Sequence, residues 1–163
     1  MTMHPPPPQS PQSGGPVFNA TSASGPRAGF WQRFFALLLD SLIILIVPLI
    51  VIIIGAAAKS GGVLVLGYLL YIVGYIAYFV YFEGGPAGQT PGKKALGIRI
   101  IDFNTGGPIG HGRAFLRLIG RWIAGVFCYL GYFWMLWDKE KQCWQDKMAN
   151  DVVVPVSDYP VPS

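Results

Sequence analysis

Charge is what this chain has least of. Asp, Glu, Lys and Arg make up 12% of its 163 residues, against about 25% in an ordinary soluble domain. So few charges cannot cover a water-facing surface, and part of the surface must meet something less polar. Histidine and cysteine are scarcer still, at two of each. His4 and His111 lie far apart in sequence, and no set of His, Cys and carboxylate residues has metal-ligand spacing. Cys128 and Cys143 form neither a disulfide framework nor a Cys-x-x-Cys pair, and read as two reduced thiols. No Gly-x-Ser-x-Gly occurs. The stretch AGQTPGKK at 87–94 fails as a phosphate loop, because Ala87 takes the place of its first glycine and Lys94 that of the Mg²⁺-binding hydroxyl. No acid–base or nucleophile set is present, so no catalytic residue, cofactor or metal is expected.

What the chain has in abundance is apolar residues, 52% of the total. They are concentrated in three runs. The first, expected as a helix over about 33–58, centres on LIILIVPLIVIII. It is long enough for the roughly 20 apolar residues that cross a hydrocarbon layer of about 30 Å. Pro48 inside it predicts a kink rather than a break. It starts too late and runs too long for a signal peptide. The second run, about 63–82, carries Tyr68, Tyr71, Tyr75, Tyr78 and Phe82 at spacings of three and four, one stripe of a helix. Gly67 and Gly74 lie on a neighbouring stripe, where small residues let helices approach closely. This predicts a packing seam with interhelical hydroxyls; a polar pathway is the alternative. The third run, about 114–137, begins with Arg117 and Arg121 on one face. Its uninterrupted apolar part is short for a span, so it either crosses or dips and returns, with Gly125 and Gly131 permitting a bend.

Between the second and third runs, 83–113 reads as a polar loop with structure of its own. Ile98 to Asp102 has a strand pattern, a second short strand returns through Ile109, and Asp151 to Pro155 is a further strand candidate with its proline suited to an edge. Residues 1–29, rich in Pro, Gly and Ser, are expected to be a disordered tail. Pro5 to Pro8 form a local polyproline II stretch, and the Asn19 sequon is expected to stay unmodified on the cytoplasmic side.

The net charge of +4 flanks apolar runs, which points to anionic lipid and not to nucleic acid. If all three runs cross with the N-terminus inside, eight Lys and Arg lie inside and four outside. If the third run returns, eleven lie inside and only Lys59 outside, and the 98–102 and 151–155 strands share a side. The positive-inside rule favours the second arrangement. The chain is thus read as a multi-pass protein of the plasma or inner membrane, with a cytoplasmic N-terminus.

Asp40 is the residue that most needs explaining. It lies inside the first apolar run, roughly 10 Å along the helix from Arg33 at a rise of about 1.5 Å per residue. A carboxylate at bilayer depth costs roughly 2.5–3.5 kcal/mol on insertion scales. Arg33 shares its face but is too far away for a direct pair, and is expected to snorkel to the headgroups. Arg117 and Arg121 are therefore the expected partners of Asp40. The outcome is either an interhelical ion pair that fixes register or a cation or proton site. Asp138 and Asp146 flank a charged stretch that reads as solvated surface.

Four blocks of sequence carry a resemblance. They are Arg27-Ala28-Gly29-Phe30-Trp31-Gln32-Arg33 through Asp40; Gly88-Gln89-Thr90-Pro91-Gly92-Lys93-Lys94-Ala95-Leu96-Gly97-Ile98; Arg113-Ala114-Phe115-Leu116-Arg117; and Gln145-Asp146-Lys147-Met148-Ala149, followed by Val152 to Val154. Together they resemble the RDD family of membrane proteins, named for one arginine and two aspartates. By that resemblance the arginine falls on Arg33 and the aspartates on Asp40 and Asp146. Gln145 stands where family members often carry histidine, so no imidazole role carries over. The resemblance implies an RDD-like membrane domain over 30–156 and a short C-terminal tail over 157–163. The expected architecture is an all-α membrane protein with two or three transmembrane helices and a small cytoplasmic β-element. The resemblance also suggests a part in transport. Two or three spans cannot enclose a pathway alone, so the expected partners are the lipid bilayer and either further copies of the chain or a larger membrane complex. A non-catalytic accessory subunit is the alternative.

Overall fold

A computed structural model describes residues 25–126 and 130–161. The Pro-rich run, the Asn19 sequon, His4 and Cys128 lie outside the described residues. Helix α1 spans Phe30–Ala57 and α2 spans Gly61–Gly84. They start slightly earlier than their apolar runs because polar groups close their ends. The Gly29 N–H donates to Gln32 Oε1 at 2.9 Å and so opens α1. The Ser60 N–H donates to the Gly55 carbonyl at 2.9 Å and turns the chain into α2. Both helices are long and apolar enough to cross a membrane. Their distal halves are exposed apolar surface, including Ile46, Val47, Ile53, Val65 and Val73, which water does not tolerate at that extent. Pro48 sits within continuous helix.

Glycine sets the closeness of this hairpin at Gly55 and Gly67. A Cβ on Gly67 would meet Ile52 Cγ1 at 2.9 Å, and one on Gly55 would meet the Leu64 nitrogen at 3.0 Å. Gly74, expected on the same seam, has open space at its Cβ position. The close approach of the backbones is therefore at Gly55 and Gly67 and not at Gly74.

The chain then folds into a polar cap. Helix α3 (Pro91–Ala95) is capped by Thr90, whose Oγ1 accepts from the Lys93 N–H at 3.2 Å. Strand β1 (Ile98–Asp102) pairs antiparallel with β2 (Asp151–Pro155), with Ile100 opposite Val153 and Asp102 opposite Asp151. No strand returns through Ile109, which is instead buried beside Ile98, Ile100, Ala114 and Val153. Its neighbour Gly110 takes a positive φ of 76° and opens helix α4 (Gly110–Val126).

The third apolar run is not one helix. After α4 come the short α5 (Leu130–Phe133), a 3₁₀ turn (Trp134–Leu136) and then α6 (Trp144–Ala149). A Cβ on Gly131 would meet Ala124 Cβ and the Trp144 ring, both at 2.9 Å, so α5 folds back against α4. Because β1 and β2 are hydrogen-bonded, the two ends of the 103–150 stretch meet in the cap. Helix α4 is amphipathic in an inverted sense. It buries Arg117, Arg121, Leu118 and Gly120 and exposes Phe115, Leu116, Trp122 and Val126.

Helix α3 reaches α1 at a point where no side chain fits. A Cβ on Gly92 would lie 2.3 Å from the Ala36 carbonyl oxygen and 2.7 Å from Asp40 Oδ1. Gly92→Ala is therefore expected to destabilise the protein by about 1–3 kcal/mol or more, the scale of overpacking a tight interior. Thermal unfolding in detergent reads this. An unchanged midpoint would show that α3 is not seated on α1.

Candidate functional site

Where α1, α2, α4 and α6 meet the cap, the interior is ionic. Glu83, near the end of α2, is fully buried and accepts from three cations. Lys93 Nζ and Arg121 Nη2 donate to its Oε1, the latter at 2.8 Å, and Arg117 Nε donates to Oε2 at 3.1 Å. Arg117 Nη1 also donates to Asp146 Oδ1 at 2.6 Å and to Asp151. Asp146 in turn accepts from Arg33 Nη1 at 2.5 Å and from the Cys143 N–H at 3.0 Å. Arg33, Lys93, Arg117, Arg121, Asp146 and Asp151 are all at most 7% exposed.

Asp40 is held differently. Its side chain accepts from Thr90 Oγ1 at 2.5 Å, the Gly92 N–H at 2.7 Å and Tyr78 Oη at 2.8 Å. Its expected partners, Arg117 and Arg121, are bound to other carboxylates. The reason is topological: the 83–113 loop folds back onto α1 and delivers neutral donors there, so Asp40 meets the cap before it meets α4. Arg33 does not snorkel; it is buried and paired with Asp146. Asp146 is no surface residue either, with 0% exposure. Asp138 is only half-buried surface: its side chain is 12% exposed and pairs with the exposed Lys147. The site thus brings Arg33, Arg117, Arg121 and Asp146 together, with Asp40 one shell away.

Residues that sequence reasoning missed as site residues are Glu83, Lys93, Asp151 and Thr90, whereas Tyr78, expected to offer an interhelical hydroxyl, does so to Asp40. For Glu83 the signal was present: it is an acid at the end of an apolar run, and the argument applied to Asp40 applies to it equally. No motif for a metal appears, and among the described residues no group of three or more His, Cys, Asp or Glu could hold one.

Burial pulls Lys93 below the ordinary lysine range, opposed by Glu83. Burial also pushes the Cys143 thiol up to about 12, so it is no nucleophile at neutral pH. Burial raises Asp146 too, but Arg117 and Arg33 outweigh it and hold the carboxyl below its ordinary range. Asp151 goes the other way. Burial, helped by the charge on Asp146, pushes it up to about 7 against the pull of Arg117.

A small cavity of about 20 Å³ lies inside the cluster, walled by Arg33, Asp40, Lys93, Arg117, Arg121 and Asp146 among others. That is room for one water-sized group. Arg33 Nη2, Arg121 Nε and Nη1, and Gln145 Oε1 are buried polar atoms without a partner among the described residues.

Two apolar helices joined to a polar cap through buried ion pairs define a small helical protein of the membrane type. Residues 27–150 match the RDD family, to which the chain belongs. Among curated proteins it is similar to the proline-rich antigen homolog of Mycobacterium tuberculosis (strain ATCC 25618 / H37Rv), at 34% identity over 87 residues, 52% of this chain and 36% of that protein. The proline-rich antigen of Mycobacterium leprae (strain TN) is 29% identical over 82 residues, 50% of this chain and 33% of that protein. The matched stretch thus spans only about a third of these curated relatives' length. No solved structure matches.

The Asp151 shift has a sign that is open to measurement. Its carboxyl is raised in the folded state above its ordinary 3.8. The associated stability is therefore complete below about pH 4 and declines as pH rises through about 7. Asp146, held down, acts only at lower pH, where acidification removes its contribution. Stability is expected to fall by about 1–3 kcal/mol between pH 5 and 8, at up to 1.4 kcal/mol per unit. Asp151→Asn is expected to flatten that slope in pH-dependent melting curves. A slope retained in Asp151→Asn would contradict the assignment.

Proposed function

We propose that the protein assists the movement of an ion or small solute across the plasma or inner membrane, as a subunit of an oligomer. The observation that carries this reading is the water-sized cavity walled by charged groups next to Asp40. Buried charge at the base of membrane helices persists where it serves a pathway or fixes a structure. Two apolar helices cannot surround a pathway by themselves, so the reading requires further copies or a larger complex to close it. The N-terminus and cap are cytoplasmic in this proposal. What supports that side is charge: with β1 and β2 paired, eleven of the 12 Lys and Arg fall on the cap side if 103–150 does not cross, leaving Lys59 alone.

The second reading is a non-catalytic accessory subunit. It is favoured by the aromatic group Phe30, Trp31, Phe34 and Phe35 at the start of α1. Their rings contact one another at 5.4–6.2 Å, and Trp31 is 66% exposed. Such a patch suits a helix of another membrane protein.

One experiment separates the two. Protein reconstituted in liposomes is assayed for sodium, potassium and proton flux with ion-sensitive dyes, beside Asp40→Asn. The transport reading expects flux of at least one of these ions, reduced about tenfold or more by Asp40→Asn, the scale of losing charge-assisted hydrogen bonds. Flux that is absent, or unchanged by Asp40→Asn in a variant that melts normally, would contradict it and favour the accessory subunit.

A further inference from the structure

The chain between α5 and α6 is pinned at the start of α1. The Phe133 ring stacks on that of Phe30 at 5.6 Å, and Arg27 pairs with Glu140 at 2.6 Å. Between these two contacts Met135 is buried, and beyond them so is Cys143. Asp138 closes the turn: its carbonyl accepts from the Lys141 N–H and its Oδ2 from the Gln142 N–H, both at 3.0 Å. The segment is held by packing and hydrogen bonds, so what it exposes is fixed by the fold.

It exposes side chains that do not suit water alone. Trp134, Leu136 and Trp137 turn outward, Trp137 with 78% exposure. Exposed lysines stand beside them, Lys139, Lys141 and Lys147, with Lys147 Nζ 5.9 Å from the Trp134 ring centroid. Both acids of the turn are engaged, Asp138 by Lys147 and Glu140 by Arg27. Lys139 and Lys141 have no carboxylate partner among the described residues. The turn and its pairs thus hold four cations (Arg27, Lys139, Lys141, Lys147) against two acids (Asp138, Glu140). Lys141 also holds a positive φ of 50°, where glycine is favoured, so its charge is placed there at a conformational cost.

Position decides what such a surface meets. Helix α1 begins at Phe30 and carries its apolar run away from the cap. The level of Phe30 and Phe133 is therefore where a span leaves hydrocarbon. Tryptophan is favoured at that level, with its ring among the acyl esters and its N–H toward water, and lysine reaches past it to phosphate. The centre of a protein interface is instead depleted of lysine.

We propose that the surface formed by residues 134–141 lies in the headgroup layer of the cap-side leaflet, with Trp134 and Trp137 at the level of the acyl esters and Lys139 and Lys141 on the phosphates of anionic lipid. The inference rests on α1 and α2 crossing a bilayer and not on the transport reading. It makes this segment a second anchor beside the hairpin, one that sets how closely the cap sits on the membrane.

The test reconstitutes the full chain in vesicles of mixed phosphatidylglycerol and phosphatidylcholine. The fluorescence of Trp137 is read as the difference between the unaltered chain and Trp137→Phe, a change at an exposed ring that leaves the buried contacts in place. Lipid brominated near the top of its acyl chains is expected to quench that fluorescence, and aqueous acrylamide is expected to leave it largely intact. A trace of brominated phosphatidylglycerol is expected to quench about fivefold more efficiently than a trace of brominated phosphatidylcholine, the scale of one lysine at an anionic surface. Lys139→Gln combined with Lys141→Gln is expected to remove that preference and to leave the melting midpoint unchanged. Quenching of Trp137 by acrylamide and not by brominated lipid would place the surface in water. Protection from both would place it against protein, a second copy of the chain included. Either result, equal quenching by the two lipids, or a preference that survives the lysine changes would overturn the proposal.

Discussion

Arg117 touches three carboxylates that come from three different elements: Glu83 from α2, Asp146 from α6 and Asp151 from β2. It is itself on α4, and through Asp146 it reaches Arg33 on α1. Nearly every element that meets the cap is thus connected through one guanidinium. The constraint behind this is simple. A charge removed from water must be met by an opposite charge and by hydrogen bonds, or the structure holding it does not persist. Replacing such a pair by matched apolar residues is often harmless, whereas removing one partner costs about 3–5 kcal/mol. The network therefore acts less as a source of net stability than as a specification of which helix sits against which.

That specification matters because the apolar faces here give little guidance. Helices α1 and α2 approach closely around Gly55 and Gly67 and meet again where Tyr78 bonds Asp40, and much of the hairpin between is exposed aliphatic surface. In lipid there is no hydrophobic drive to bring such faces together. Ordering is left to the polar groups at the cap end: Thr90, Tyr78 and Gly92 gathered on Asp40, and the cations gathered on Glu83. Helix α4 completes the inversion by turning its arginines inward and its large apolar side chains outward.

Much of this was legible in the sequence, and what was not has a common cause. The two long apolar runs gave α1 and α2 within a few residues, because length and hydropathy are local properties. The 98–102 and 151–155 segments were both legible as strands from their residue patterns, and they pair as β1 and β2. Asp40 stood out as a buried acid, and Arg33, Arg117, Arg121 and Asp146 were all singled out. Their partners were not legible. Periodicity assigns a residue to a face but not to a neighbour across space, so Asp40 was matched with arginines that belong to Glu83 and Asp146. The close packing of α5 on α4 and α6 depends on Gly131 meeting Ala124 and Trp144; the sequence marks Gly131 as a place to bend, but no local pattern announces what it packs on. Gly74 fails as a seam residue for the same reason: its stripe is small, but nothing packs against it.

The most direct test of the view that ion pairing holds the helices in place is a double-mutant cycle on Arg117 and Glu83. Arg117→Met, Glu83→Met and the double variant would each be unfolded in detergent and compared with the unaltered chain. If each single change strands a buried charge, the double variant is expected to lose less than the two singles combined, with a coupling of about 1–3 kcal/mol. Strict additivity, with no coupling, would contradict the account.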